Sequence, residues 1–223
     1  MKKVKITQFN HLTNGIPIIV ILPHEKETNL SKLLEIYIKD QLDKFIIEIK
    51  NQNPPILQKL KKKKEKLEEL KRDTLNFIKK IGFRVDKEKL SGEKLTVFFE
   101  NSKKGSVEYT ILKSKEELQS LIGKYKNVYF IKNNDMLHLA KQSVDNLKMK
   151  LQEFNTTSKK IENLIEVLAL KKTLETLSNL VPVKFKKHGI IIDISDLNKA
   201  IILETFLQEK ISKKANKDRQ FYL

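Results

Sequence analysis

Residues 136–181 read MLHLAKQSVDNLKMKLQEFNTTSKKIENLIEVLALKKTLETLSNLV. Positions 137, 140, 144, 147, 151, 154, 158, 161, 165 and 168 step by three and four. They hold Leu, Ala, Val, Leu, Leu, Phe, Ser, Ile, Ile and Leu, so nine of the ten are apolar. That spacing is the seam of a heptad-like helix. Asn133, Asn134 or Asp135 supplies a cap in front of it, and Pro182 stops it. Asn155-Thr156-Thr157-Ser158 is its weak point, because these side chains compete for backbone hydrogen bonds. The stretch is therefore one helix bent there or two helices folded back on each other.

Downstream, Val183 to Phe185 and Ile190 to Ile194 flank Lys187-His188-Gly189 and read as a β-hairpin. Ser195 or Asp196 then caps a last helix with an inner face of Leu197, Ala200, Ile201, Leu207 and Ile211, interrupted by Glu204. Upstream, Leu95 to Glu100 and Val107 to Leu112 form a second hairpin around Asn101–Gly105. Ser114 with Glu117 is a capping box for a short helix that Gly123 closes, and Val128 to Ile131 is a further strand.

The chain opens with Val4 and Ile6 alternating with lysines, then Asn14-Gly15, then Ile16 to Leu22. This is a third hairpin, and Pro17 places its second strand at a sheet edge. Thr28 or Asn29 caps a helix whose apolar face runs from Leu30 to Ile49. Pro54-Pro55 breaks it and starts a second helix from about Ile56 to Ile81, ended by Gly82. These two helices read as an antiparallel hairpin. The expected fold is thus α+β and mostly helical, with three short β-hairpins, an N-terminal helical hairpin and a long coiled-coil-like stretch. The division expected is 1–132 and 133–223, with a boundary near 133 or a single domain.

Forty-five Lys and Arg against 28 Asp and Glu leave a formal charge of +17. The cations are 42 Lys and 3 Arg, which matches AT-rich codon usage and disfavours bidentate guanine reading. Residues 1–112 carry +9 and the rest +8, so neither half is the basic one. Such a surplus attracts phosphate polyanions. Hydrophobic residues make 39%, too many for a disordered chain. There is no cysteine, which excludes disulfides, thiolate metal sites and cysteine nucleophiles. No apolar run is long enough to span a membrane, and the opening residues alternate instead of forming a signal core, so a cytoplasmic setting is expected.

The search for chemistry yields little. There is no P-loop and no dinucleotide fingerprint. His11, His24, His138 and His188 stand apart from one another, and His24/Glu27 and Asp135/His138 offer two ligands each, too few for zinc. Glu48-Ile49-Lys50 has the Glu-x-Lys half of a nuclease motif but ends a periodic helix. Asp193 and Asp196 follow an isoleucine run, where Ser195-Asp196 also fits a helix cap. Phe98, Phe99, Tyr109, Tyr129 and Phe130 lie in strands, as core or as stacking surfaces.

The basic runs are Lys61, Lys62, Lys63 and Lys64; Lys184 with Lys186 and Lys187; and Lys210 through Arg219. The sequence therefore predicts a non-enzymatic protein, without metal or cofactor, that associates with DNA or RNA or with a nucleoprotein complex and binds the phosphate backbone through the first two runs. The alternative is an assembly or inhibitor protein, of the kind a phage or mobile element carries, that binds a partner or a second copy through the 137–168 seam. A metal-dependent nuclease built on Asp193 or Glu48 is the third reading.

Overall fold

The computed structural model describes residues 3–10, 12, 15–85, 94–125, 127–187 and 189–220, with the backbone alone over 215–220. Among them the fold is α+β and mostly helical. The strands are β1 (Val4–Phe9), β2 (Ile18–Pro23), β3 (Phe83–Arg84), β4 (Leu95–Asn101), β5 (Ser106–Leu112), β6 (Val128–Phe130), β7 (Val183–Lys186) and β8 (Gly189–Asp193). The helices are α1 (Glu27–Asn51), α2 (Pro55–Ile81), α3 (Lys115–Lys124), α4 (Asn134–Ser178) and α5 (Leu197–Gln220). The three expected hairpins are β1–β2, β4–β5 and β7–β8, all antiparallel. Asn14 and His188, expected in two of the turns, lie outside the described residues.

The chain divides into two compact units, one of residues 1–54 and 160–223 and one of residues 55–159. The expected boundary near 133 falls inside the second of these. The helices expected as an N-terminal hairpin are assigned apart, α1 to the first unit and α2 to the second.

The first unit is built on a four-stranded sheet in the order β1-β2-β8-β7. Its centre is a parallel pair, β2 with β8, in which Ile18, Ile19, Val20 and Ile21 face Ile190, Ile191, Ile192 and Asp193. Pro17 therefore does not mark an edge. It sits just before an inner strand, where its missing N–H is not needed, and its carbonyl accepts from Ile190 N–H at 2.9 Å. One face of the sheet carries Ile18, Val20, Leu22, Ile190 and Ile192, all buried. α1 and α5 pack on β2 and on each other. α1 buries Leu30, Leu34, Tyr37, Ile38, Leu42 and Ile49, as its periodicity requires. It begins at Glu27 after a 3-10 turn, His24–Lys26, so Thr28 and Asn29 lie in its first turn and do not cap it.

α5 buries Ala200, Leu203, Glu204 and Leu207, whereas Leu197 and Ile201 are exposed. Its inner face is thus rotated from the expected one, because Glu204 is accommodated instead of avoided. Lys26 Nζ donates to Glu204 at 2.7 Å and Asn29 Nδ2 donates to its other oxygen. The Lys26 ammonium holds the Glu204 carboxyl below its ordinary pKa, with help from Asn29 and against the effect of burial.

The second unit is a sheet in the order β3-β6-β4-β5 between two helical layers. On one face Phe98 and Val107 share a core with Leu67 and Ile78 of α2 and with Ala140, Val144 and Leu147 of α4. On the other, Val97, Phe99, Leu112 and Val128 pack with Leu118 of α3. Ser114 caps α3 by accepting from Glu117 N–H at 3.2 Å. Gly123 lies within that helix, which runs on to Lys124. Gly82 ends α2 at a close approach, since a Cβ there would stand 2.6 Å from the Ile78 carbonyl oxygen.

α4 is one continuous helix of 45 residues. Asn133 caps it, its Oδ1 accepting from Asp135 and Met136 N–H at 2.9 and 3.0 Å. Thr156 and Thr157 hydroxyls bond back to the Gln152 and Glu153 carbonyls, so the weak segment stays helical. Up to Phe154 the expected seam packs with α2 and the sheet of the second unit. Beyond Lys160 the helix belongs to the first unit and buries Ile161, Ile165, Ala169, Leu170, Thr173, Leu174 and Leu177, while Leu168 is 44% exposed. A straight helix turns away from a heptad stripe by about 20° per seven residues, and here the surroundings of the helix change as well.

Candidate nucleic-acid interface

Four consecutive helical positions sample the whole circumference, because each residue turns the helix by about 100°. A helix packed along one side must bury at least one of them. Lys61, Lys62, Lys63 and Lys64 are all exposed, as are Glu65 and Lys66. This turn of α2 therefore stands clear of its unit, whose core α2 joins at Leu67, 8% exposed. Leu57 and Leu60, half-buried, give the preceding turns their only apolar cover. Among the described residues none of the four ammonium groups has a carboxylate within 4 Å, whereas Lys71 pairs with Glu100 at 3.4 Å. The unit carrying them has 25 Lys and Arg against 14 Asp and Glu, net +11. The other unit has 20 against 14, net +6. Charge that is even along the sequence is thus uneven between the units.

Lys184, Lys186 and Lys187 belong to the first unit, so the two candidate runs are not parts of one unit. All three are exposed. β7 is an edge strand, where lysines blunt unpaired backbone groups, so a structural use for Lys184 and Lys186 is at hand. Lys184 lies opposite Ile191 in register, on the sheet face that does not carry Ile190 and Ile192. The basic run from Lys210 to Arg219 continues α5, where Lys214 pairs with Asp40.

The strand aromatics divide between core and half-cover. Phe98 and Phe99 are buried, and Tyr109, Tyr129 and Phe130 are half-buried. The exposed aromatic of this sheet is Phe83 on the β3 edge, 52% exposed, with the Lys132 ammonium 5.0 Å from its ring centre. Phe83 carries no signal in the sequence, because it belongs to a strand of two residues with no periodicity to display.

Each acidic candidate has a partner within the first unit. Glu48 pairs with Lys172 at 3.1 Å on the surface of α1. Asp193 Oδ1 accepts from Ser195 N–H at 3.2 Å, and Asp196 Oδ1 accepts from Lys199 N–H at 3.0 Å as the cap of α5. Among the described residues no three acidic, histidine or cysteine side chains come together as metal ligands. His138 bonds to Gln142 one turn along α4. None of these described helices is long and apolar enough to cross a membrane.

No protein-family model matches this chain, and no curated protein or solved structure is significantly similar to it.

Proposed function

We propose that this protein is a non-enzymatic component of nucleic-acid or nucleoprotein complexes that holds the phosphate backbone without reading bases. The supporting observation is the Lys61–Lys64 turn of α2, exposed around its circumference, without carboxylate partners among the described residues, on a unit of net +11. Four ammonium groups within little more than one turn repel one another, and phosphates relieve that repulsion. Lysine is a point charge with no planar fork to match a base edge, so contact of this kind is indifferent to sequence.

The test is a salt titration of binding to two unrelated duplexes and a single strand. Log affinity should fall with log salt at a slope of about −0.9 per phosphate neutralised on duplex DNA. Changing Lys61, Lys62, Lys63 and Lys64 together to Gln should leave the circular-dichroism spectrum unchanged, because Lys and Gln have similar helix propensity. It should flatten the slope by about two to four units on every sequence. Absence of binding to any of the three at low salt overturns the proposal. Binding with an unchanged slope in the variant moves the contact to Lys184, Lys186 and Lys187.

A further inference from the structure

Phe83 is an exposed ring on a fixed base. α2 ends at Ile81, and Gly82 lets the chain close onto β6, where a Cβ would stand 3.2 Å from Tyr129 Cβ. Phe83 then lies opposite Phe130 in the β3–β6 register, and the two rings are 5.7 Å apart, tilted by 37°. Phe130 packs in turn on the core that holds Val97, Phe99 and Leu118. Strand pairing and a neighbouring ring thus hold Phe83 in place while half of it faces solvent. A side chain already held this way loses little freedom on contact with a ligand.

The charges around it are of one sign. Lys132 Nζ lies 5.0 Å from the centre of the Phe83 ring and 6.0 Å from that of Phe130. Lys79 and Lys80 stand in the last turn of α2, and Arg84 follows Phe83. Residues 79–84 and 127–132 contain these four cations and no acid, and the next charge, Asp135, opens α4. Lys79, Lys80 and Lys132 are exposed, and among the described residues no carboxylate lies within 4 Å of them, whereas Lys71 of the same helix is paired with Glu100. Lysines in a last turn also suit the helix dipole, a use that leaves their ammonium groups in water and open to an anion. An exposed ring face among unpaired cations matches an unpaired nucleotide, whose base stacks and whose phosphates meet ammonium groups. A duplex keeps its base faces inside its own stack.

We infer that Phe83 is a stacking platform for a base of single-stranded nucleic acid, with Lys79, Lys80 and Lys132 on the flanking phosphates. The base takes the place over the ring that the Lys132 ammonium occupies, and that exposed side chain swings to a phosphate. This rests on the nucleic-acid reading above and adds to it a preference for unpaired strands. Every base has a π face, so the contact stays indifferent to sequence.

The test uses the full chain and three probes of about 12 nucleotides, a thymidine strand, an abasic strand of equal charge and a duplex. The thymidine strand should bind about tenfold more tightly than the abasic one. Phe83→Ala should remove that advantage with the salt slope unchanged, because stacking releases no counterions, and should leave the other two probes unaffected. Lys80→Gln with Lys132→Gln should instead flatten the single-strand slope by about 1.4 units, about 0.7 per phosphate. The chain has no Trp, so Phe83→Trp supplies a lone fluorescent reporter. Its emission should be quenched by the thymidine strand and by neither other probe, and this result decides if Phe83→Ala fails to fold. Equal binding of the thymidine and abasic strands, or no quenching, overturns the inference, while salt-dependent duplex binding leaves the wider reading standing. Absence of binding to all three probes at low salt overturns both. Phe83→Ala that keeps its thymidine-strand affinity but loses binding to phosphatidylserine vesicles gives the ring to a membrane surface and also overturns the inference.

Discussion

Glu204 shows how one side chain decides which face of a helix turns inward. It is 9% exposed and held by Lys26 and Asn29, so α5 aligns Ala200, Leu203 and Leu207 with it instead of Leu197 and Ile201. Replacing it by Gln should cost about 1.5–3 kcal/mol at neutral pH, the range for hydrogen bonds to a charged group. Its folded pKa is depressed, so its contribution is present above the pKa of an unfolded Glu and is lost as pH falls through the lowered folded value. Urea unfolding across pH should show wild type and Glu204→Gln far apart at neutrality and converging in acid. Gly189 decides a turn in a different way. Its φ is +149°, and a Cβ would stand 2.7 Å from the Pro17 carbonyl oxygen. Gly105, with φ +64°, has nothing within 4 Å of that point. Gly189→Ala should therefore destabilise by about 2 kcal/mol or more, and Gly105→Ala by about 1 kcal/mol, as read by thermal denaturation.

Periodic elements were readable because their signal is local. The 137–154 stripe, the Ser114–Glu117 cap and the β4–β5 alternation each declare themselves within one element, and each is found. The stripe misleads only where it was extended to Leu168, past the point at which α4 enters a different unit. Leu147 is fully buried, so Leu147→Ala should cost about 2–5 kcal/mol in chemical denaturation. Leu168→Ala should cost under about 1 kcal/mol, and a comparable loss there would restore the heptad reading. The Lys61–Lys64 turn was legible for a related reason, since four adjacent identical residues cannot all be buried. The concavity lined by Leu42, Ile46 and Val167 was not, because these residues come from α1 and α4 and meet only in the fold.

The pairing that organises the first unit joins Ile18 to Ile190 across 172 positions of sequence, and no local pattern announces it. Pro17 pointed the wrong way because a proline beside a strand says where an N–H is absent, not how many neighbours the strand has. The second unit, by contrast, is one unbroken segment, residues 55–159. Its two cores lie on opposite faces of a single sheet and draw on residues from that segment alone. Expressed by itself, the segment should give a cooperative thermal transition and retain salt-dependent binding to duplex DNA. A fragment that is unfolded by circular dichroism would show that its stability depends on the rest of the chain.

That long-range strand pair also sets an order on synthesis. The ribosome delivers β2 early and β8 late, and every residue of 55–159 emerges between them. Until β8 arrives, β2 has β1 on one side and an open row of backbone donors and acceptors on the other, on a strand of Ile, Ile, Val, Ile and Leu. A nascent chain halted before residue 189 would keep that edge bare, the feature most prone to pairing with another chain. Incomplete translation products should accordingly be aggregation-prone and be held by chaperones, while the finished polypeptide closes the edge with its own late strand.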